Sequence, residues 1–133
     1  MANGIIESFL VVSTLSAQRV VCMQTGTAMT VEYAGGTTEM PIGITIDTVL
    51  DTTNAIPVQL NGIAELFFND TVTSGGFVGS DTSGRGVPIS LALTSTAISS
   101  VAGVIGVLVG ETIGATGTIS KVLIQPQIVR ATA

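Results

Sequence analysis

The chain has 133 residues, of which 46% are hydrophobic and 10% charged, with a net charge of −5 and no histidine. These numbers exclude histidine-ligated metals and Ser-His or Cys-His nucleophilic pairs. The four cations, Arg19, Arg85, Lys121 and Arg130, form no run and so no basic patch for phosphate.

A domain of this size buries about two-thirds of its unfolded surface, enough for a core without disulfides. None can form internally, because Cys22 is the single cysteine, and within Val20–Met23 it reads as a small buried hydrophobe. The mean hydropathy of +0.68, the 16 glycines and the many Thr, Ser and Val favour short strands joined by small-residue turns. So few charges on so apolar a chain imply surface covered by another protein chain.

Residues 1 to 8 show no periodicity and read as an N-terminal arm, either frayed or docked on a partner. In the docked case Asn3, Ile5 and Ile6, with Phe9 just beyond, are the candidate contacts. Phe9–Ala17 has the look of a secretory core, but Glu7 and no cation precedes it. Strands are expected at Phe9–Val12, Arg19–Gln24 and Thr27–Tyr33, then at Ile42–Ile46, where isoleucine alternates with Gly and Thr. Ile56–Phe68 reads as one long strand interrupted at Gly62, where a bulge or a close backbone approach is expected. The turn Thr73–Gly76 leads to the short run Phe77–Val78. The loop Ser80–Gly86 follows, with Asp81, Thr82, Ser83, Gly84 and Arg85 expected to be exposed. Gly86–Gly110 is uncharged and contains Gly106-x-x-x-Gly110, but its Ser/Thr cluster and Pro88 argue for two buried strands rather than a membrane helix. The turn Gly114–Gly117 precedes a strand at Thr118–Gln125, stopped by Pro126, and a tail at 126–133. One core is expected to hold Ile42, Ile44, Ile46, Leu60, Leu66, Phe68, Val107 and Val109.

No motif carries catalysis. Gly75, Gly76 and Gly79 lack the lysine of a phosphate-binding loop. Ser80–Gly84 compares poorly with the Asp-Thr-Gly of aspartic proteases, which also need a second aspartate. Glu32, Asp47 and Glu65 stand singly on outward strand phases, as residues that block edge pairing do. Ile42–Thr48 echoes Ile105–Thr112, and a strand follows each after a turn, as expected of two similar units folding into one small barrel or sandwich.

From Pro41 to Gln125 the order and spacing of features resembles the capsid decoration, or cement, proteins of tailed bacteriophages, akin to lambda-type head-stabilising proteins. The resemblance rests on Pro41-Ile42-Gly43-Ile44, Ile56–Ala64, the Gly-rich Ser74–Gly86, Val104-Ile105-Gly106-Val107, Gly114–Gly117 and Val122-Leu123-Ile124. Leu91–Gly103 departs from the pattern in length and has room for a short helix. The resemblance implies an all-β, barrel- or sandwich-like domain over 9–125, an arm at 1–8, and a non-enzymatic structural role. It further implies a homotrimer, made in the host cytoplasm, that binds the major capsid protein on the exterior of the virion. There it would brace the head against internal DNA pressure, with no cofactor, metal, membrane or direct nucleic-acid contact. A fibre, tail or baseplate module is the alternative, expected more often within a longer chain, whereas this sequence starts at Met1. A small hydrolase is the enzyme alternative, disfavoured by the missing histidine.

Overall fold

The computed structural model describes residues 4–34, 40–51, 53–89, 100–114 and 116–131. They form ten strands and, among the described residues, no helix. Strands β1 (Ile6–Val11), β2 (Val20–Met23), β3 (Thr30–Tyr33), β4 (Pro41–Thr45) and β5 (Ile56–Gln59) close a five-stranded barrel in the order β1-β3-β2-β4-β5. Strands β6 (Gly62–Phe68), β7 (Phe77–Ser80), β8 (Gly86–Pro88), β9 (Ser100–Leu108) and β10 (Thr118–Ala131) close a second in the order β10-β6-β8-β7-β9.

The two barrels are copies of one topology. Each contains one parallel pair, β1/β3 or β6/β8, and antiparallel ladders elsewhere in matching order. The irregular parts repeat too. Leu15 and Val49 exchange backbone bonds of 2.9 and 2.8 Å, as Val72 and Ile113 do at 3.2 and 2.8 Å. The Gln18 N–H donates to Thr45 O and the Thr45 N–H to Arg19 O; the Gly75 N–H donates to Leu108 O and the Leu108 N–H to Gly76 O. Left-handed backbone recurs at matching places: Gln18 (φ 62°) with Gly75 (φ 87°), and Met29 (φ 53°) with Gly84 (φ 75°). The echo between Ile42–Thr48 and Ile105–Thr112 falls on β4 and β9, which are equivalent strands. Each unit closes its own barrel, however, where a single shared barrel or sandwich was expected.

The sequence reading is corrected at four further places. Gly62, with φ 81°, does not bulge one strand; it turns the chain from the first barrel into the second, which only glycine does without strain. Pro126 does not stop the last strand. The β9/β10 register shifts between Ile124 and Gln127, and that irregularity absorbs a residue without an N–H. Of the arm's described residues, Ile6, Glu7 and Ser8 belong to β1 and, with Phe9, pair with Gln59, Val58, Pro57 and Ile56. The core is divided. Phe9, Val11, Leu15, Val21, Val31, Val49, Ile56 and Val58 fill the first barrel, with Ile42 and Leu60 packed on them. Leu66, Phe68, Leu108 and Ile44 belong to a second cluster that crosses both barrels. Ile46 and Val109 lie just past the ends of β4 and β9 and are exposed, and Val107 is half-buried. Of the segment Leu91–Gly103, residues 91–99 lie outside the described residues and Ser100–Gly103 opens β9.

Candidate functional site

The junction between the barrels follows from the duplicated seam. In the first barrel the seam between β1 and β3 is closed directly, the Leu10 N–H donating to Met29 O at 2.7 Å. The equivalent groups of the second barrel are the Phe67 N–H and the Gly84 carbonyl. There Gln18–Val20 of the first barrel bridges them: the Phe67 N–H donates to Gln18 O at 3.0 Å, and the Val20 N–H donates to Gly84 O at 2.7 Å. Val20, Cys22, Ala34 and Ile44 thereby join the core of the second barrel. Alternation in β2 makes this possible, since Val21 faces one core while Val20 and Cys22 face the other.

The loop expected to be exposed is part of this junction. Among Asp81–Arg85 only Thr82 is exposed; Asp81, Ser83 and Arg85 are half-buried and Gly84 is buried. Asp81 organises the loop. Its Oδ1 accepts from the Ser83 and Arg85 N–H groups, both at 2.9 Å, and its Oδ2 accepts from Asn69 Nδ2 at 3.0 Å and Arg85 Nε at 2.8 Å. A Cβ on Gly84 would lie 2.7 Å from Val20 O and 2.8 Å from Tyr33 Cδ1, so no larger residue fits without movement. Arg19 reaches across, its guanidinium 4.9 Å from the Phe67 ring centroid and its Nη1 donating to Ser83 O. The polar sequence that promised an exposed loop instead satisfies itself and docks.

Of the candidate contacts at the N-terminal end, Asn3 lies outside the described residues. Ile5 is 56% and Ile6 50% exposed, whereas Phe9 is buried in the first barrel and so is unavailable to a partner. Ile5 is held by backbone: its N–H donates to Asn61 Oδ1 at 2.7 Å, and the Leu60 N–H donates to Ile5 O at 2.8 Å. The result is a fixed apolar corner beside the Asn61 turn.

An open cleft of about 650 Å³ between the barrels is lined by Gln18, Thr45, Ile46, Gln59, Ile63, Ala64, Glu65 and Lys121. Gln59 Nε2 donates to Asn61 O and Ile63 O, and Thr45 Oγ1 donates to Ser16 O, so these polar groups hold the crossover. Among the described residues no three Asp, Glu, Cys or His side chains come close enough to hold a metal ion. On exposed Asp51 the Thr53 N–H, donating at 2.9 Å, holds the carboxyl below its ordinary value. That turn therefore persists above the ordinary carboxylate range and loosens only as pH falls through the lowered value.

A surface that the sequence reading missed lies on the second barrel. Phe77, Val107, Leu123 and Ile63 are successive register partners across β7, β9, β10 and β6, and so share its outer face. Phe77 and Ile63 are exposed, and Val107 and Leu123 half-buried. The signal was present as apolar residues on outward strand phases.

No protein-family model and no curated protein matches the chain. Among solved structures, the chain is similar to the N base of the head fibre gp8.5 in bacteriophage phi29, with a TM-score of 0.66 at 15% identity, covering 91% of this chain and 93% of that one. The paired-barrel architecture, nearly end to end, is thus a fold shared with that fibre base.

Proposed function

We propose that this chain is a structural protein of a tailed-phage head, bound as a homotrimer to the outer surface of the capsid and bracing it against packaged DNA. The observation that carries this reading is the match of almost the whole chain to a head-fibre base. The chemistry supports it: the chain has no histidine for a nucleophilic pair, and in the cleft Gln59 and Thr45 donate to backbone carbonyls of the protein itself. The exposed corner of Ile5 and Ile6 is the capsid contact, with the major capsid protein as partner. Because the corner is held by the barrel, binding incurs little ordering entropy there. A trimer presents three such corners, and linked sites raise the effective concentration of each.

The test adds purified protein to expanded heads lacking it and images them by cryo-electron microscopy. Regular surface density, and heads that withstand heat or low salt better, are expected. Ile5→Asp with Ile6→Asp should abolish decoration while the protein stays folded. Full occupancy by that variant places the contact elsewhere; no binding by the wild-type chain ends the reading. The fibre-base likeness favours one second reading, in which the paired barrels seat a fibre on the head. Thin projections rather than compact knobs in the same images would decide for it.

A further inference from the structure

We infer that the outer wall of the second barrel, built on Phe77, Val107 and Leu123, is the surface by which one copy of this chain binds the next, head to tail. The inference rests on the trimer reading above and gives that trimer its interface. The argument begins with the duplication. The row Phe77–Val107–Leu123–Ile63 is equivalent, partner for partner, to Val20–Ile44–Gln59–Ile6 in the first barrel. In the first barrel three of those four positions are covered: Val20 and Ile44 are fully buried against the second barrel and Gln59 is nearly so, while Ile6 at the edge stays exposed. In the second barrel the matching wall is apolar and open, with Phe77 44% exposed. The chain itself thus shows what this wall packs against, namely the β1/β3-type seam of a barrel of the same fold.

Among the described residues the seam of the first barrel is the uncovered one of the two, and its exposed side chains match the wall. Leu10 is 54%, Val12 48% and Met29 51% exposed. Met29 carries a second sign. Its left-handed backbone is the place where the second barrel has Gly84, so a side chain is kept there at the expense of strain. Methionine at such a place gives an adaptable apolar contact. Because the Leu10 N–H already donates to Met29 O, the contact between copies is made by side chains and not by an inserted segment. A wall on one copy meeting a seam on the next is a heterologous interface, which closes into a ring when the rotation allows. Three copies would place six barrels in a ring, each wall covered.

The test is sedimentation equilibrium on the full-length chain and two variants, Phe77→Arg and Leu10→Arg, each at an exposed position, with melting temperature as the folding check. The wild type should be trimeric and each variant monomeric with unchanged melting. An equimolar mixture of the two variants should form dimers, since one sound wall and one sound seam remain. Oxidation of the double variant Phe77→Cys, Met29→Cys should link copies covalently, a readout independent of arginine tolerance. If both arginine variants stay trimeric and the cysteine pair does not link, the interface is wrong and the trimer reading stands. If Leu10→Arg stays trimeric while Phe77→Arg does not, the wall pairs with itself and the head-to-tail inference fails. A monomeric wild-type chain at micromolar concentration overturns interface and trimer together.

Discussion

Gln18 and Gly75 occupy the same turn in the two barrels, with left-handed backbone at both. A side chain there costs about 1–2 kcal/mol. Gln18→Gly is therefore expected to raise stability by about 1 kcal/mol and Gly75→Gln to lower it by a similar amount, read as opposite shifts of the urea midpoint with unchanged slope. Gly84 is a different case, because both its backbone and its surroundings demand glycine. Gly84→Ala should cost more than Gly75→Ala, whose added Cβ meets nothing within 4 Å. Glycine composition announced turns in the sequence, but not this distinction. Which glycine is merely left-handed and which is also crowded depends on Val20 and Tyr33, residues far away in the chain.

At the scale of strands, alternation located most elements and their buried phases. Val58, Leu66 and Phe68 all fell on the inward phase, and all are fully buried. Alternation could not say that Val58 and Leu66 face different cores, because Gly62 between them redirects the chain rather than bulging it. Leu66→Ala should cost roughly 2–5 kcal/mol, as a fully buried leucine does. The first strand was misjudged for a related reason: Ile6 to Ser8 lack internal periodicity, and only pairing with β5 orders them. Removing residues 1–8 would thus strip Pro57, Val58 and Gln59 of their partners on β1, leaving β5 paired with β4 alone, and open the first barrel. That truncation is expected to lose the cooperative melting transition, whereas the two aspartate substitutions at Ile5 and Ile6 keep it. Of the expected contacts, Ile5 and Ile6 are exposed and Phe9 is core, since single-sequence apolarity does not separate an exposed apolar residue from a packed one.

For the molecule as a whole, the cluster that crosses the junction ties the barrels together. Val20, Cys22, Ala34 and Ile44 share a core with Leu66, Phe68 and Leu108, so heat should unfold both barrels in one transition. Calorimetric and van't Hoff enthalpies should agree; two resolved transitions would mean that the junction couples them weakly. The halves are unequal in what they owe each other. The first barrel closes its own seam, but the second depends on Gln18–Val20 to join Phe67 to Gly84. Residues 1–61 expressed alone should give dispersed amide resonances, and residues 62–133 alone should not.

The bridging of one seam by the preceding barrel also sets an order of biogenesis. The last strand of the first barrel ends at Gln59, before any strand of the second has begun. During synthesis the N-terminal unit can close while the rest is still being made, and it then offers Gln18–Val20 as a preformed template. A circular permutant that emits residues 62–133 first would reverse that order. It should reach the same final structure more slowly and with more aggregation on the way, because the second seam would have to wait, unfilled, for its missing segment.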